Sequence, residues 1–299
     1  MTSAAYTLLE TRGVLEIAGP DRREFLQGLI SNDTNKLTPA RALYAAFLTP
    51  QGKYLHDFFL TESGESFLLD GEKARLPDLL RRLSLYKLRA KVTLAAASER
   101  FIVAAAFGAE VLSCFGLPAE PGAALVFGGG YAYVDPRLVT LGVRALLPRV
   151  GGAAPLDALG LAPTDNDAYD RLRLGEGVAD GSRDLPVEKA ILLEAGFDEL
   201  NGVDWEKGCY IGQELTARTR YRALIKKRLM AVKVDGALPA PGTPIMLGDH
   251  EAGEIRSGNG DLALALIRLE AMEEAARTGA ALTAGGAKVT AMKPSWAKF

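Results

Sequence analysis

Cysteine is almost missing from this chain: Cys114 and Cys209 are the only two in 299 residues. So few thiols build no disulfide framework, and a reducing compartment, the cytoplasm, is the expected setting. Histidine is equally scarce, with only His56 and His250. A closed zinc site or a resident iron–sulfur cluster needs about four ligands of these kinds, so no stably bound metal is expected. Charge of one sign is also lacking, since 35 Lys and Arg face 37 Asp and Glu for a formal net charge of -2. No global basic field exists to hold nucleic acid, which is not an expected partner. No apolar run approaches the ~20 residues of a membrane helix. Residues 1–10 lack the basic start and apolar run of a secretory signal.

What remains is an ordinary globular composition, 48% hydrophobic and 24% charged. Helical and strand patterns alternate up to about residue 225. Strands are expected at 14–17, 43–48, 54–60, 67–69, 92–96, 101–106, 125–127, 131–134 and 141–146. Asp21 and Glu24 have capping-box spacing before a helix that carries Phe25, Leu26, Leu29 and Ile30 on one face. A second helical pattern runs over 72–88, with Leu76, Leu79, Leu80, Leu83 and Tyr86 as its apolar side and Pro77 marking its first turn. A third runs over 168–174, with Asp165 or Asp167 as its cap. From Lys226 the texture changes to short apolar runs at 228–234, 245–247, 262–267 and 289–292, separated by Gly and Pro turns, with one helix at 269–278. That pattern suggests a small β-barrel.

Residues 207–214, KGCYIGQE, look most like a site. Cys209 stands between Gly208 and Tyr210, two residues after Lys207, and Gly212, Gln213, Glu214 and Arg218 follow. Nearby cations and a helix start expected from Ile211 favour a thiolate. The two glycines allow close approach of a ligand. A lone cysteine is also commonly a small packed hydrophobe, and from composition alone both readings stand. Cys114, in an apolar stretch, reads as packing. His56 and Asp57 are the second point of interest, since His and Asp can form an acid–base pair. As neighbours on a strand they face opposite ways, so one pocket takes at most one of them, with Asp57 the candidate.

KGCYIGQE is identified as the signature of the YgfZ-type folate-binding proteins, which assist iron–sulfur cluster assembly and repair and are related to the glycine-cleavage T-protein, an aminomethyltransferase. Residues 25–33, including Gln27, Gly28, Asn32 and Asp33, resemble the N-terminal motif of that family. Residues 48–53, LTPQGK, resemble its second motif, and residues 86–92 a further recurrent segment. Tyr169 takes the place of a tryptophan that lies against folate, and residues 221–223 end in Ala223 where the family has glycine. The T-protein has two adjacent carboxylates where this chain has His56 and Asp57.

The resemblance implies a mixed α+β body over residues 1–225, built from two interleaved subdomains, and a C-terminal β-barrel over 226–299. It implies tetrahydrofolate or a derivative as cofactor, with Asn32, Asp33, Tyr169, Tyr210, Gln213, Glu214 and Arg218 as binding residues. Cys209, Lys207 and Asp57 become the chemical candidates, and iron–sulfur client proteins or their assembly machinery the partners. Two alternatives stand beside this. One is a tetrahydrofolate-dependent aminomethyl or methyl transferase, the activity implied if the chain is an enzyme. The other is an interaction module with a structural cysteine.

Overall fold

A computed structural model describes residues 4–221 and 225–299. The departure from the family pattern at 221–223 therefore lies, beyond Tyr221, outside the described residues. The chain divides into two compact units. One takes Met1–Leu48, Leu55–Tyr169 and Leu200–Ile211; the other takes Thr49–Tyr54, Asp170–Glu199 and Gly212–Phe299.

The first unit holds two sheets. The chain starts at Ala5–Leu8 in a six-stranded sheet and leaves it for a five-stranded one. That second sheet has the order Leu43–Leu48, Tyr54–Ser63, Ser66–Glu72, Arg12–Ala18, Thr93–Ala96. The chain then returns to the six-stranded sheet with Phe101–Phe107, Gly130–Val134 and Val143–Pro148 among its strands. This excursion and return makes the subdomains interleaved. Strands Leu43–Leu48 and Ser66–Glu72 are buried almost throughout, which is why they read as continuous apolar runs. Helix Leu76–Lys87 carries Pro77 in its first turn and buries Leu76, Leu79 and Leu83. The capping box at Asp21 does not form: the Asp21 carboxylate accepts a hydrogen bond from the Lys91 main-chain N–H at 2.7 Å instead. Asp165 does cap its helix, accepting from the Ala168 N–H at 3.1 Å.

The second unit contains a closed six-stranded barrel. Its strand order is Lys227–Asp235, Leu262–Arg268, His250–Asn259, Pro244–Leu247, Leu282–Ala284, Ala287–Met292. Met230, Val232, Ile245, Ile255, Ala265 and Ile267 fill it and are fully buried. Each large aliphatic of that set contributes roughly 1.5–3 kcal/mol. Closure leaves no free sheet edge. Helix Leu269–Thr278 follows the second strand of that order and ends at Gly279, at φ 72. No helix among the described residues is long and apolar enough to cross a membrane.

Candidate functional site

In the first unit, the loop bearing Cys209 is tied to the end of the first helix. Helix Arg22–Gln27 stops at Gly28, and a 3-10 turn follows at Thr34–Lys36. Between them, Ser31 donates its hydroxyl to the Gly202 carbonyl at 2.5 Å and accepts from the Ala46 N–H at 2.8 Å. The Asn32 amide donates to the carbonyls of Tyr44, at 2.7 Å, and Asn201, at 2.8 Å. The main-chain N–H groups of Asp204 and Ile211 donate to the carbonyls of Ser31 and Gly28. Lys36 pairs with Asp204 at 2.5 Å.

Lys207 closes the attachment. Its ammonium donates to the carbonyls of Gln27 at 2.8 Å, Ile30 at 2.5 Å and Asn32 at 2.8 Å. It also lies 5.0 Å from the centroid of the buried Tyr210 ring, a cation–π contact. Burial lowers its pKa to about 8, with Asp33 and Asp204 opposing the drop. Three carbonyls around one ammonium cap the open end of a helical segment. Lys207 is thus a staple for the loop, and its donors point away from the role of supplying charge to the thiol.

Gly208 and Cys209 stand at the exposed tip of this loop, and the thiol is free. The reading of Cys209 as a packed hydrophobe fails on that exposure. Cys114 is half-buried against the apolar core of the six-stranded sheet, as expected. The helix expected from Ile211 begins only at Gln213, so its first turn starts four residues past the thiol.

The polar residues at the end of the octet and beyond it lie in the second unit. Glu214 and Arg218 pair with each other at i,i+4 spacing, both largely exposed. Such a pair adds little stability, and it takes up the guanidinium expected to favour the thiolate. The LTPQGK turn is built against the start of this helix. Gly52 sits at φ 77, and a Cβ there would fall 2.6 Å from Leu215 Cβ and 2.7 Å from the Gly212 carbonyl oxygen, so only glycine fits.

Between the two sheets of the first unit lies a buried charge network that sequence reading missed. Asp70 accepts from Arg12 at 2.8 Å and from Arg144 at 2.7 Å. Asp135 accepts from Arg137 at 2.8 Å. Arg144 lies 4.0 Å and Arg137 4.9 Å from the centroid of the Phe59 ring. Burial alone would raise the Asp70 carboxyl; Arg12 and Arg144 outweigh it and hold the pKa below the usual carboxylate range. The signal available in the sequence was charge inside otherwise apolar strands, Asp70 after Phe67, Leu68 and Leu69.

Two expected site residues border this network. The Tyr44 hydroxyl donates to Asp57 at 3.0 Å, and burial followed by the Asp57 charge pushes the Tyr44 pKa well up. His56 faces the other way, its Nε2 3.0 Å from Asp78, so the two neighbours do not form an acid–base pair. Burial and Arg75 lower the His56 pKa to about 4, so the neutral ring donates through Nε2–H. Tyr169 packs its ring on Phe107, with centroids 5.5 Å apart. Its hydroxyl is buried and makes no well-formed hydrogen bond among the described residues, and it lies in the field of Asp135, Arg144 and Arg137, with the Arg144 guanidinium the nearest donor to its oxygen. The Tyr169 ring and its weakly held hydroxyl are compatible with a flat polar ligand such as a reduced folate. Asn32 fits less well, because both its amide N–H groups are taken by main-chain carbonyls. Asp33 is likewise engaged, accepting from the Gln27 amide at 2.9 Å. Among the described residues no group of three His, Cys, Asp or Glu converges as a metal site requires.

Two interleaved sheets followed by a terminal barrel define an aminomethyltransferase-like fold. The chain superposes on the crystal structure of glycine cleavage system aminomethyltransferase T from Bartonella henselae with a TM-score of 0.78. The match covers 98% of this chain and 86% of that one at 16% identity, and so speaks for the fold alone. Residues 226–299 match the family model of the CAF17 C-terminal beta-barrel domain. Relatives matched over most of the chain then narrow the class. The chain is 38% identical to the mitochondrial iron–sulfur cluster assembly factor IBA57 of Mus musculus, over 89% of this chain and 78% of the relative. It is 36% identical to that of Homo sapiens, over 87% and 76%. It is 32% identical to the homolog from Pyricularia oryzae, over 95% and 77%. The chain belongs to the IBA57 family of iron–sulfur cluster assembly factors.

Proposed function

We propose that this chain is a folate-binding assembly factor of the YgfZ type, acting on iron–sulfur proteins through Cys209. The observation that carries the reading is the free, exposed thiol at the tip of a loop pinned by Lys207. One thiolate cannot hold a cluster, which takes about four protein ligands. Cys209 therefore acts as a transient ligand, giving up its proton to bind iron, while an assembly or client protein supplies the other ligands. Lys207 positions the loop. The cytoplasmic location rests on the two unpaired thiols; the relatives named above are called mitochondrial.

Tetrahydrofolate is the proposed cofactor, with Tyr169 as its polar contact and Asp57 beside it. When bound, such a group supplies a one-carbon carrier and a reduced pterin. Transferase activity is the weaker reading, because the paired carboxylates of the T-protein are replaced by His56 and Asp57, which turn to different partners. Calorimetry with tetrahydrofolate tests the cofactor, and no heat at about millimolar ligand removes it. Iodoacetamide tests the thiol: Cys209 is expected to be alkylated well before Cys114, and equal protection of both contradicts the reading.

A further inference from the structure

We propose that a cavity in the second unit, on the outer face of the barrel, binds a small organic anion that carries an apolar group. The cavity holds about 340 Å³ and lies between residues 184–195 and three barrel strands. That volume suits a small metabolite.

Strand register builds the polar wall. Leu229 and Glu254 both pair with Leu266, so the three form one row across adjoining strands. Lys227 stands two residues from Leu229, and Arg256 two from Glu254, on the face opposite the barrel interior. Ile255, between Glu254 and Arg256, and Met230, next to Leu229, point into the barrel core. Ile191, Leu229 and Leu266 supply the apolar surface, and Lys227 and Arg256 the positive end.

The cations here are only partly satisfied among the described residues. Arg256 is 14% exposed and gives one nitrogen to Glu254 at 2.5 Å. Its other N–H groups make no hydrogen bond among the described residues. The half-buried side chains of Lys227 and Glu194 make no hydrogen bond or ion pair among the described residues. Burial raises the Glu194 carboxyl, against the pull of Lys227, Lys53, Arg256 and Arg228, and so weakens the negative side of the balance. Asp184 is committed to Arg173 at 2.7 Å and to the Ser257 N–H at 2.9 Å. Lys189 adds a further exposed cation to the lining. Half-buried cations with donors to spare are costly, and a carboxylate or phosphate between Lys227 and Arg256 lowers that cost.

The test is a methyl-NMR titration of the full chain with phenyl phosphate, inorganic phosphate and benzyl alcohol. Phenyl phosphate is expected to shift the methyls of Ile191, Leu229 and Leu266 saturably. It should bind at least about tenfold more tightly than either inorganic phosphate or benzyl alcohol. Lys227→Gln and Arg256→Gln should each weaken it by about tenfold. Should Arg256→Gln perturb folding, Lys227→Gln carries the result, because that side chain makes no hydrogen bond or ion pair among the described residues. Absence of shifts at about 10 mM phenyl phosphate, equal binding of benzyl alcohol, or unchanged affinity in Lys227→Gln would each overturn the proposal.

Discussion

Lys207→Met tests how the Cys209 loop is held. The substitution keeps a long apolar stem against Tyr210 and removes the ammonium that binds three carbonyls. Hydrogen bonds from a charged donor contribute about 1.5–3 kcal/mol each, so three of them come to roughly 6 kcal/mol. Burying the ammonium works the other way. Its pKa falls from 10.5 to about 8, equivalent to roughly 3 kcal/mol against the charged form. A net loss of about 2–4 kcal/mol is therefore expected, located in the first unit. Trp205 lies two residues from Lys207, and the only other tryptophan is Trp296. In a Trp296→Phe background, urea unfolding followed by Trp205 fluorescence reads the first unit by itself. A loss under about 1 kcal/mol would refute the staple and return Lys207 to the thiol.

Three further outcomes follow from the geometry. Asp70→Asn leaves Arg12 and Arg144 buried without their carboxylate and should cost about 3–5 kcal/mol in calorimetric unfolding, whereas a near-neutral result would deny the network its ionic character. His56 has a folded pKa of about 4, below its usual 6.5, so the unfolded chain takes up the proton first as pH falls. Stability then declines between pH 6.5 and 4 by about 3 kcal/mol, and His56→Gln should flatten that part of the denaturation profile; an unchanged slope would place the acid sensitivity elsewhere. Tyr169→Phe removes a hydroxyl that makes no well-formed hydrogen bond among the described residues, so stability should hold within about 0.5 kcal/mol while tetrahydrofolate affinity drops about tenfold, and a loss above about 1 kcal/mol would mean that Arg144 holds the hydroxyl firmly.

Elements with a clean period were legible in the sequence. Helix Leu76–Lys87 and strands Leu43–Leu48 and Lys227–Asp235 fall within a residue or two of their expected places. Strand His250–Asn259 was not, because it alternates charged residues with small ones and only Ala252, Ile255 and Ser257 among its non-glycine residues are buried. Cys209 was legible as a functional candidate from its glycine and lysine neighbours. The partners of Lys207 were not, since all three are main-chain carbonyls and leave no side-chain signature. Nor was the Asp70–Arg144 pair, whose members lie 74 residues apart on different sheets. Asn32 and Asp33 carry the polar character of a ligand site, yet much of it holds the loop that presents the thiol.

The central claim is that the exposed thiol does the work, and a pair of serine variants tests it. Cys209→Ser and Cys114→Ser are each introduced into a strain lacking its own copy, and the activity of an iron–sulfur enzyme is measured at matched protein levels. Cys209→Ser should fold normally, because its side chain is exposed, and fail to restore the enzyme. Cys114→Ser should restore it, apart from any loss in stability. Full rescue by Cys209→Ser would contradict the account.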